Sequence, residues 1–382
     1  MGLLRLILAL NVVIAHSGSL FGIVSVGGMI AVKVFFIVSG FYMSLILNEK
    51  YTGEGAYKLF ISNRILRLFP AYFFVCAIAV IFFTATLASP VGENVIEYWH
   101  QHVGSMDISA IIVLVLVSIT LLGQELTVFT TINPATGMLN YTPSFLGGTI
   151  LPYRFMLIPQ AWTLSLELMF YIIAPLLVKR KSWIILLLMA TSLGLRFWAY
   201  SNGYAHDPWD YRFFPFEIFF FLGGIISYKI YRKYKDINIP KPTIAFLLAA
   251  VFGYIVLYQY IPVNETFKHW SLCTAMIFAI PFLFIISKKN KFDRFIGELS
   301  YPVYICHVLI IQALTIVASH FHRPKAFTLY VIITTILFSI LIIKFIMDPI
   351  ENFRQNRIKK KESGTEEKPQ PVLEEPIQAI PN

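Results

Sequence analysis

Residues 3–20 read LLRLILALNVVIAHSGSL, an apolar stretch that carries two ionisable side chains, Arg5 and His16. Their spacing is about three turns of α-helix, or roughly 16 Å along the axis, so both would project from nearly one face. A titratable group is costly inside a membrane span and normally faces the bundle interior or a watery cavity. The stretch therefore predicts a membrane-spanning helix with one functional candidate near each end.

The composition places this helix in a membrane protein with many spans. Of 382 residues, 57% are hydrophobic and 14% are charged, with 34 Phe and 20 Tyr, and the mean hydropathy is +0.69. Soluble domains carry about 25% charged residues. Apolar runs of roughly 17 to 22 residues, long enough to cross a bilayer, recur along the chain. We therefore expect an all-α polytopic membrane protein, a bundle of about ten transmembrane helices.

The candidate spans follow one another along the chain. They lie near Leu3–Leu20, Gly27–Leu47, Leu68–Ala88, Gln160–Val178, Trp183–Tyr200, Phe213–Ile230, Thr243–Ile261, His269–Ser287, Leu299–Ser319 and Phe327–Met347. A cleaved signal peptide is the alternative for the first stretch, since a basic residue precedes an apolar run. It is disfavoured because Asn11 interrupts the run and because cleavage would discard both unusual polar residues, Arg5 and His16.

Basic loops set the predicted orientation. They are Lys50–Arg67, Lys179–Lys181, Tyr231–Lys235, Lys288–Arg294 and Lys359–Lys361. By the positive-inside rule, all of them belong on the cytoplasmic side. With both termini cytoplasmic, this holds only if an additional short apolar run, Ile108–Leu122, makes no net crossing. We predict that this run is re-entrant or interfacial, within a long outer segment, Ser89–Pro159.

Composition also divides the chain into two parts. Residues 1–350 form one membrane domain, and residues 351–382 form a basic, Pro-rich cytoplasmic tail that is expected to be disordered. The net charge of +10 lies in the inner loops and the tail, where membrane topology accounts for it. A nucleic-acid partner is therefore not indicated.

Few ionisable residues lie inside the predicted spans. They are Arg5, His16, Lys33, Glu167, Arg196, Glu217, His307 and Lys344. Each has a structural alternative to a functional role. His16 could simply hydrogen-bond a neighbouring helix, and Lys33 and Glu167 could form a buried ion pair. The residues close to span ends could snorkel to the interface; these are Arg196, Glu217 and Lys344.

Neither a metal site nor a disulfide is predicted. Two histidine pairs, His100 with His102 and His320 with His322, have no third ligand nearby in sequence, whereas structural zinc sites use four. The cysteines all fall inside predicted spans; they are Cys76, Cys273 and Cys306. Such cysteines are better interpreted as small residues packed in the core than as a disulfide framework.

Five patches occur in an order that is informative. Arg5 and His16 are separated by ten residues, and four segments follow: Val32–Leu47 (VKVFFIVSGFYMSLIL), Arg64–Tyr72 (RILRLFPAY), Ala161–Pro175 (AWTLSLELMFYIIAP) and Leu299–His307 (LSYPVYICH). Together they resemble the motifs of the bacterial integral-membrane acyltransferase-3 family of O-acyltransferases. The resemblance runs from about Leu3 to Pro349.

This resemblance implies transfer of an acyl group, commonly acetyl, from cytoplasmic acyl-coenzyme A to a hydroxyl of a cell-surface glycan or lipid-linked sugar. Acyl-CoA would be a donor substrate, with no permanently bound cofactor. The protein would lie in the bacterial cytoplasmic membrane as the membrane module alone, without an esterase-like domain.

Particular residues acquire expected roles from it. A sugar hydroxyl is a poor nucleophile, and His16 suits the general base because imidazole has a fitting pKa. Glu167 would orient that imidazole, stabilise its protonated form or hold the acceptor. Tyr304 and His307 would have supporting roles.

The cytoplasmic end would bind the donor's phosphates through Arg5, Arg64 and Arg67, since guanidinium groups match phosphate oxygens in pairs. Ordinary anchoring by positive charge is the alternative for Arg64 and Arg67. One departure concerns Lys33, which stands where many family members have Asp, so no role is assigned to it.

Two other function classes remain open. A secondary transporter or a flippase for a lipid-linked saccharide would also bury charges, but should show an internal repeat with interrupted helices. Phe35–Ser44 and Phe219–Ser227 share only a faint likeness. A receptor or scaffold without turnover would not require the aligned Arg5 and His16.

Overall fold

The computed structural model describes residues 1–23, 26–89, 94–319 and 326–366. These ranges contain thirteen α-helices and one small β-hairpin. The helices are α1 (Gly2–Ser17), α2 (Gly27–Glu49), α3 (Ala56–Ala85), α4 (Val95–His102), α5 (Ile108–Thr120), α6 (Trp162–Leu177), α7 (Ser182–Ser201), α8 (Phe214–Tyr234), α9 (Lys241–Leu257), α10 (Glu265–Ser287), α11 (Lys291–Ser319), α12 (Phe327–Ile342) and α13 (Asp348–Glu366). The hairpin pairs β1 (Thr130–Ile132) with β2 (Leu139–Tyr141).

The predicted all-α polytopic membrane fold is confirmed. Within the described ranges, nine helices are long and apolar enough to cross a membrane. They correspond to the predicted spans from Gly27 onward. The first predicted span forms α1, which has 16 residues and would be about 24 Å long. This helix packs along α11 and α2 inside the bundle.

The short apolar run forms one helix, α5, after which the chain turns back. Asp107 caps the start of helix α5, and its backbone N–H donates to the Gly137 carbonyl at 3.0 Å. At its far end, the Ser118 carbonyl accepts from the Tyr72 hydroxyl of α3 at 2.8 Å. The chain then returns through β1 to Gly137, beside its starting point. The chain before and after this run therefore lies on one side of it, while its re-entrant or interfacial placement in the membrane stays a prediction.

The basic ends of several helices meet at one end of the bundle, which we call the basic end. Lys288 and Arg294 line a single cavity there together with Arg64. Lys50 donates to Gln355 of α13 at 3.0 Å at the same end. The opposite end of α1 lies against the start of α12, where the Thr328 hydroxyl donates to the Ser17 carbonyl at 3.3 Å. That the basic end is cytoplasmic stays a prediction.

Close packing at the centre depends on two glycines. Helix α2 packs along α8, and a Cβ on Gly40 would lie 2.0 Å from the Phe221 carbonyl oxygen. A Cβ on Gly224 would lie 2.1 Å from the Ile37 carbonyl oxygen. Small residues at such a crossing let two membrane helices approach backbone to backbone.

The prediction of disorder from residue 351 was wrong as far as Glu366. A π-helical turn, Ile343–Met347, joins α12 directly to α13. In α13, Arg357 donates to Asn63 and Ser62 of α3, each at 2.9 Å. A helix that continues an existing one needs no new nucleus, and the Glu, Arg and Lys residues of this segment are good helix formers. Residues 367–382 lie outside the described part.

Candidate active site

A cavity of about 440 Å³ opens at the basic end between α1, α2, α3, α6, α10 and α11. Most of the residues singled out in the sequence line it, namely Arg5, Arg64, Arg67, Glu167 and Tyr304. The other two, His16 and His307, lie further along α1 and α11. The structure thus gathers residues from four separate sequence patches around one space.

The position of Arg5 depends on how α1 begins. The Asp293 carboxylate of α11 accepts from the backbone N–H groups of Gly2 and Leu3 at 2.8 and 2.9 Å. It therefore caps the first turn of α1, whose N–H groups have no partners within the helix. A Cβ on Gly2 would lie 2.8 Å from the Gly297 backbone nitrogen, so this contact requires glycine. Arg5 is thereby held against the cavity.

The cavity carries an excess of positive charge. Its basic residues are Arg5, Arg64, Arg67, Lys288 and Arg294, and its carboxylates are Glu167, Asp293 and Glu298. Arg67 pairs with Glu298 at 2.9 Å. Arg64 is only 8% exposed, and its Nε has no hydrogen-bond partner in the described ranges. A buried guanidinium without a counter-ion is costly, so this cavity is suited to an anionic ligand.

Glu167 belongs to this cavity and not to His16. Its Oε1 accepts from the Ser39 hydroxyl of α2 at 2.8 Å and from the Tyr171 hydroxyl at 2.5 Å. Among the described residues, His16 makes no hydrogen bond to it. The interpretation that Glu167 orients the imidazole therefore does not fit the geometry, because Glu167 faces the cavity from α6 while the His16 ring meets α11.

Tyr304 lies where the cavity approaches the histidines. Its hydroxyl donates to the Gln160 carbonyl at 2.9 Å and accepts from the Thr163 hydroxyl at 2.8 Å. Its ring centroid is 5.8 Å from that of His307, one turn further along α11. Tyr304 thus contacts the cavity on one side and the histidine on the other.

His16 and His307 form a pair, with ring centroids 5.0 Å apart. The Tyr304 carbonyl oxygen, 2.6 Å from His307 Nδ1, can only accept, so this nitrogen carries the proton and Nε2 is bare. His16 Nδ1 donates to the Val12 carbonyl at 2.9 Å and lies 3.4 Å from His307 Nε2. The free lone pair of His16 is therefore on Nε2.

The two rings differ in their surroundings. His307 is fully buried, whereas His16 is exposed near the end of α1. The exposed ring can meet a ligand directly, and the buried one acts through it. The pair therefore offers one accessible nitrogen base, oriented by a second imidazole.

A family model described as an acyltransferase domain, of acyltransferase family 3, matches residues 1–345. The chain belongs to this family. The match covers all the cavity and histidine residues described above, and it ends before α13.

Curated relatives of this acyltransferase-family chain are distant in sequence. A protein of Staphylococcus aureus strain COL, named "Putative O-acetyltransferase", is 26% identical over 385 residues, 93% of this chain and 57% of the relative. A "Putative acetyltransferase" of Acidianus two-tailed virus is 27% identical over 185 residues, 45% of this chain and 54% of the relative. The chain thus spans about half the length of the curated relatives it matches. No solved structure matches it.

Sequence reasoning missed several residues of the site. Ser39 lies inside the Val32–Leu47 patch, and its position in that motif could have suggested a contact with Glu167. Glu298 directly precedes the Leu299–His307 patch. Asp293 carries no local signal, because its role as a cap for α1 depends on packing between the two helices.

A second group of charges lies away from the cavity and corrects two predictions. Arg196 and Glu217 do not snorkel; both are buried and form an ion pair at 2.7 Å between α7 and α8. Lys33 does not pair with Glu167, and its Nζ donates to the Asp210 carbonyl at 3.1 Å. Burial raises the pKa of the Asp210 carboxyl in the loop before α8. These contacts hold helices and a loop together.

Metal ligands do not cluster in the part of the chain that the structure describes, where no group of three or more His, Cys, Asp or Glu is placed to hold an ion. His320 and His322, one of the pairs considered in the sequence, lie outside the described residues.

Proposed function

We propose that this protein is a membrane O-acyltransferase. It transfers an acyl group, acetyl in the simplest case, from cytoplasmic acyl-CoA to a hydroxyl of a surface glycan or lipid-linked sugar. The observation that carries the proposal is the positively charged cavity at the basic end, which Tyr304 connects to the His16–His307 pair. Family membership and the names of the relatives support the reaction class.

The donor enters from the basic end. Coenzyme A carries phosphates, and Arg5, Arg64 and Arg67 line the cavity where they would meet it. Arginine binds phosphate oxygens through two parallel N–H groups. From Arg5 to His16, α1 rises roughly 16 Å, a distance that an extended thioester arm would have to follow.

The acceptor meets His16 from the opposite end of α1. Its hydroxyl gives a proton to His16 Nε2 as its oxygen attacks the thioester carbonyl carbon. Collapse of the tetrahedral intermediate breaks the carbon–sulfur bond, and the leaving sulfur takes the proton from His16 Nε2, so that CoA leaves as the thiol and the imidazole is neutral again. The His16 imidazolium keeps its Nδ1–H directed at Val12 and His307, so proton uptake requires no rotation of the ring.

Glu167 takes a different role from the one first predicted. Its carboxylate, with Ser39 and Tyr171, forms a polar wall on the donor side of the cavity. In this position it would hold polar groups of the donor arm or order the wall around it. His16 remains the proposed catalytic residue, and His307 is a positioning residue.

The location and partners follow from the same assignment. An acceptor that reaches the exposed His16 while the donor enters at the basic end requires the bundle to separate two compartments. A bacterial cytoplasmic membrane, with glycan or lipid-linked sugar on its outer side, provides this arrangement.

The test compares wild-type protein with His16→Ala for CoA release from acetyl-CoA in the presence of a surface-glycan extract. His206→Ala is the matched control, since His206 is an exposed histidine in a loop outside the site. We expect glycan-dependent CoA release that is lost in His16→Ala and retained in His206→Ala.

Other outcomes are equally informative. Turnover that survives in folded His16→Ala would refute the base and keep the reaction class. If wild-type protein neither binds nor consumes acetyl-CoA but moves a lipid-linked saccharide across vesicles, the protein is a flippase.

A further inference from the structure

A second cavity, of about 510 Å³, lies beside the donor cavity at the basic end. The two share Arg67, Arg294 and Glu298 in their linings. Its other wall is α13, which contributes Glu351 and Arg354. The Arg67–Glu298 ion pair therefore stands between two adjacent cavities, one reaching toward Tyr304 and one bounded by α13.

Arg354 is an unusual residue in this wall. It is 4% exposed, contacts the Glu351 carboxylate, and its Nε has no hydrogen-bond partner in the described ranges. Arg64 and Arg67 lie near enough to repel it. Arg64 likewise has a buried Nε without a partner. Two guanidinium groups, each with an unpaired Nε, are thus held near Arg67, an arrangement that an anion would stabilise.

Helix α13 is fixed firmly enough to present Arg354. Arg357, three residues further, donates to Asn63 and Ser62 of α3, and Lys50 of α2 donates to Gln355. Lys50 and Arg294 add two more positive charges to the lining, while Asp348 adds a negative one. The cavity is therefore built by the membrane helices together with a helix that lies beyond residue 345, where the family match ends.

We propose that this second cavity binds phosphate groups of the donor nucleotide, and that Arg354 of α13 is one of their ligands, with Arg67 and Arg294. The proposal rests on acyl-CoA being the donor. The arm of the donor and the phosphate nearest to it then occupy the first cavity, beside Arg5 and Arg64, and the remaining phosphates lie between α3, α11 and α13. The same phosphate chemistry could come from a phospholipid headgroup, which the test separates from the nucleotide.

The test measures binding of CoA and of 3′-dephospho-CoA to purified full-length protein, for wild type, Arg354→Gln and Arg357→Gln. A charge-assisted hydrogen bond contributes enough that Arg354→Gln should weaken CoA binding about tenfold to a hundredfold. In turnover, the KM for acetyl-CoA should rise while kcat stays within about twofold. Arg357→Gln removes docking contacts with α3 but leaves the charges of the cavity and the Lys50–Gln355 contact in place, so it should weaken CoA binding less than Arg354→Gln does.

The nucleotide analogue locates the contact. Weakening for CoA alone assigns Arg354 to the 3′-phosphate, and weakening for both compounds assigns it to the diphosphate; each supports the proposal. If Arg354→Gln does not fold, the exposed Arg294→Gln replaces it, with the same expected loss of affinity.

Three results would overturn the proposal. The first is a folded Arg354→Gln that binds CoA as tightly as wild type. The second is retained phospholipid that disappears from Arg354→Gln in native mass spectra while CoA affinity is unchanged. The third is equal loss of CoA affinity in Arg357→Gln, which would assign the effect to helix docking. Failure of wild type to bind or consume acetyl-CoA would instead refute the proposed function itself.

Discussion

Replacing His307 with leucine tests the histidine pair directly. Leucine fills a similar volume in the fully buried site but offers no acceptor to His16 Nδ1. Val12 still holds the His16 ring, so the base keeps its tautomer. What is lost is the acceptor that faces the imidazolium formed during proton transfer. The substitution should therefore slow catalysis without removing the base.

The size of this effect follows from the geometry. A hydrogen bond to a charged group contributes about 1.5 to 3 kcal/mol. The His16 Nδ1 to His307 Nε2 distance of 3.4 Å is long, and Val12 shares the same donor, so the lower end applies. A loss of about 1.5 kcal/mol corresponds to roughly a tenfold fall in kcat.

The assay is steady-state CoA release at varied acetyl-CoA and acceptor, with folding checked by size-exclusion chromatography. Because His307 does not line the donor cavity, the KM for acetyl-CoA should stay near the wild-type value. His307→Gln, whose amide oxygen can accept a hydrogen bond, should recover part of the rate. The reasoning is refuted if His307→Leu retains wild-type kcat, or if it changes only the KM for the donor.

Two further predictions concern stability. Glu217→Leu should destabilise the protein by about 3 to 5 kcal/mol, since it leaves Arg196 and Lys33 as buried cations, and Arg196→Met should cost less because Lys33 remains near Glu217. In thermal unfolding, the double variant Arg196→Met with Glu217→Leu should recover much of the stability that Glu217→Leu loses. If the two single variants lose equal stability, the role given to Lys33 is wrong. Burial raises the pKa of Glu125, outside the spans, above its ordinary 4.5. The neutral Glu125 carboxyl therefore stabilises the fold fully below about pH 4.5, and this stabilisation is lost as the pH rises through the pKa of the folded state. At neutral pH, where the buried carboxylate is charged, Glu125→Gln should be more stable than wild type. Parallel plots of stability against pH for the two proteins would rule this out.

The sequence predicted the spans well because a membrane helix must be apolar over a fixed length. The positive-inside rule adds the prediction that the Ile108–Leu122 run makes no net crossing, since the basic loops would otherwise fall on opposite sides. Its return path beside Gly137 could not be predicted, because it depends on backbone contacts between distant turns.

The site was predictable residue by residue but not in its grouping. The position of a residue along a predicted span gives its depth in the membrane, and the prediction that Glu167 lies near His16 rested on depth alone. The orientation of a helix about its own axis decides which neighbours a side chain contacts, and the orientation of α6 places Glu167 beside Ser39. The pairing of His16 with His307 likewise depends on how α1 packs on α11, since nothing in either segment encodes the other.

The tail shows where composition misleads. Lys, Glu and Pro are typical of disordered segments, yet residues before Glu366 continue α12 and dock through Arg357. Composition measures whether a segment can form its own core. Composition does not indicate whether a segment continues an existing membrane helix and packs against a neighbouring helix, as α13 does.

The position of Tyr304 has a consequence for the membrane itself. In the proposed reaction the two substrates come from opposite faces of the membrane, and a protein open to both faces would let ions leak through. The Tyr304 ring, tied by its hydroxyl to Gln160 and Thr163, stands between the donor cavity and the histidine pair. It would let the bilayer keep its voltage and its proton gradient while only an acyl group passes, so the protein would be electrically silent during turnover.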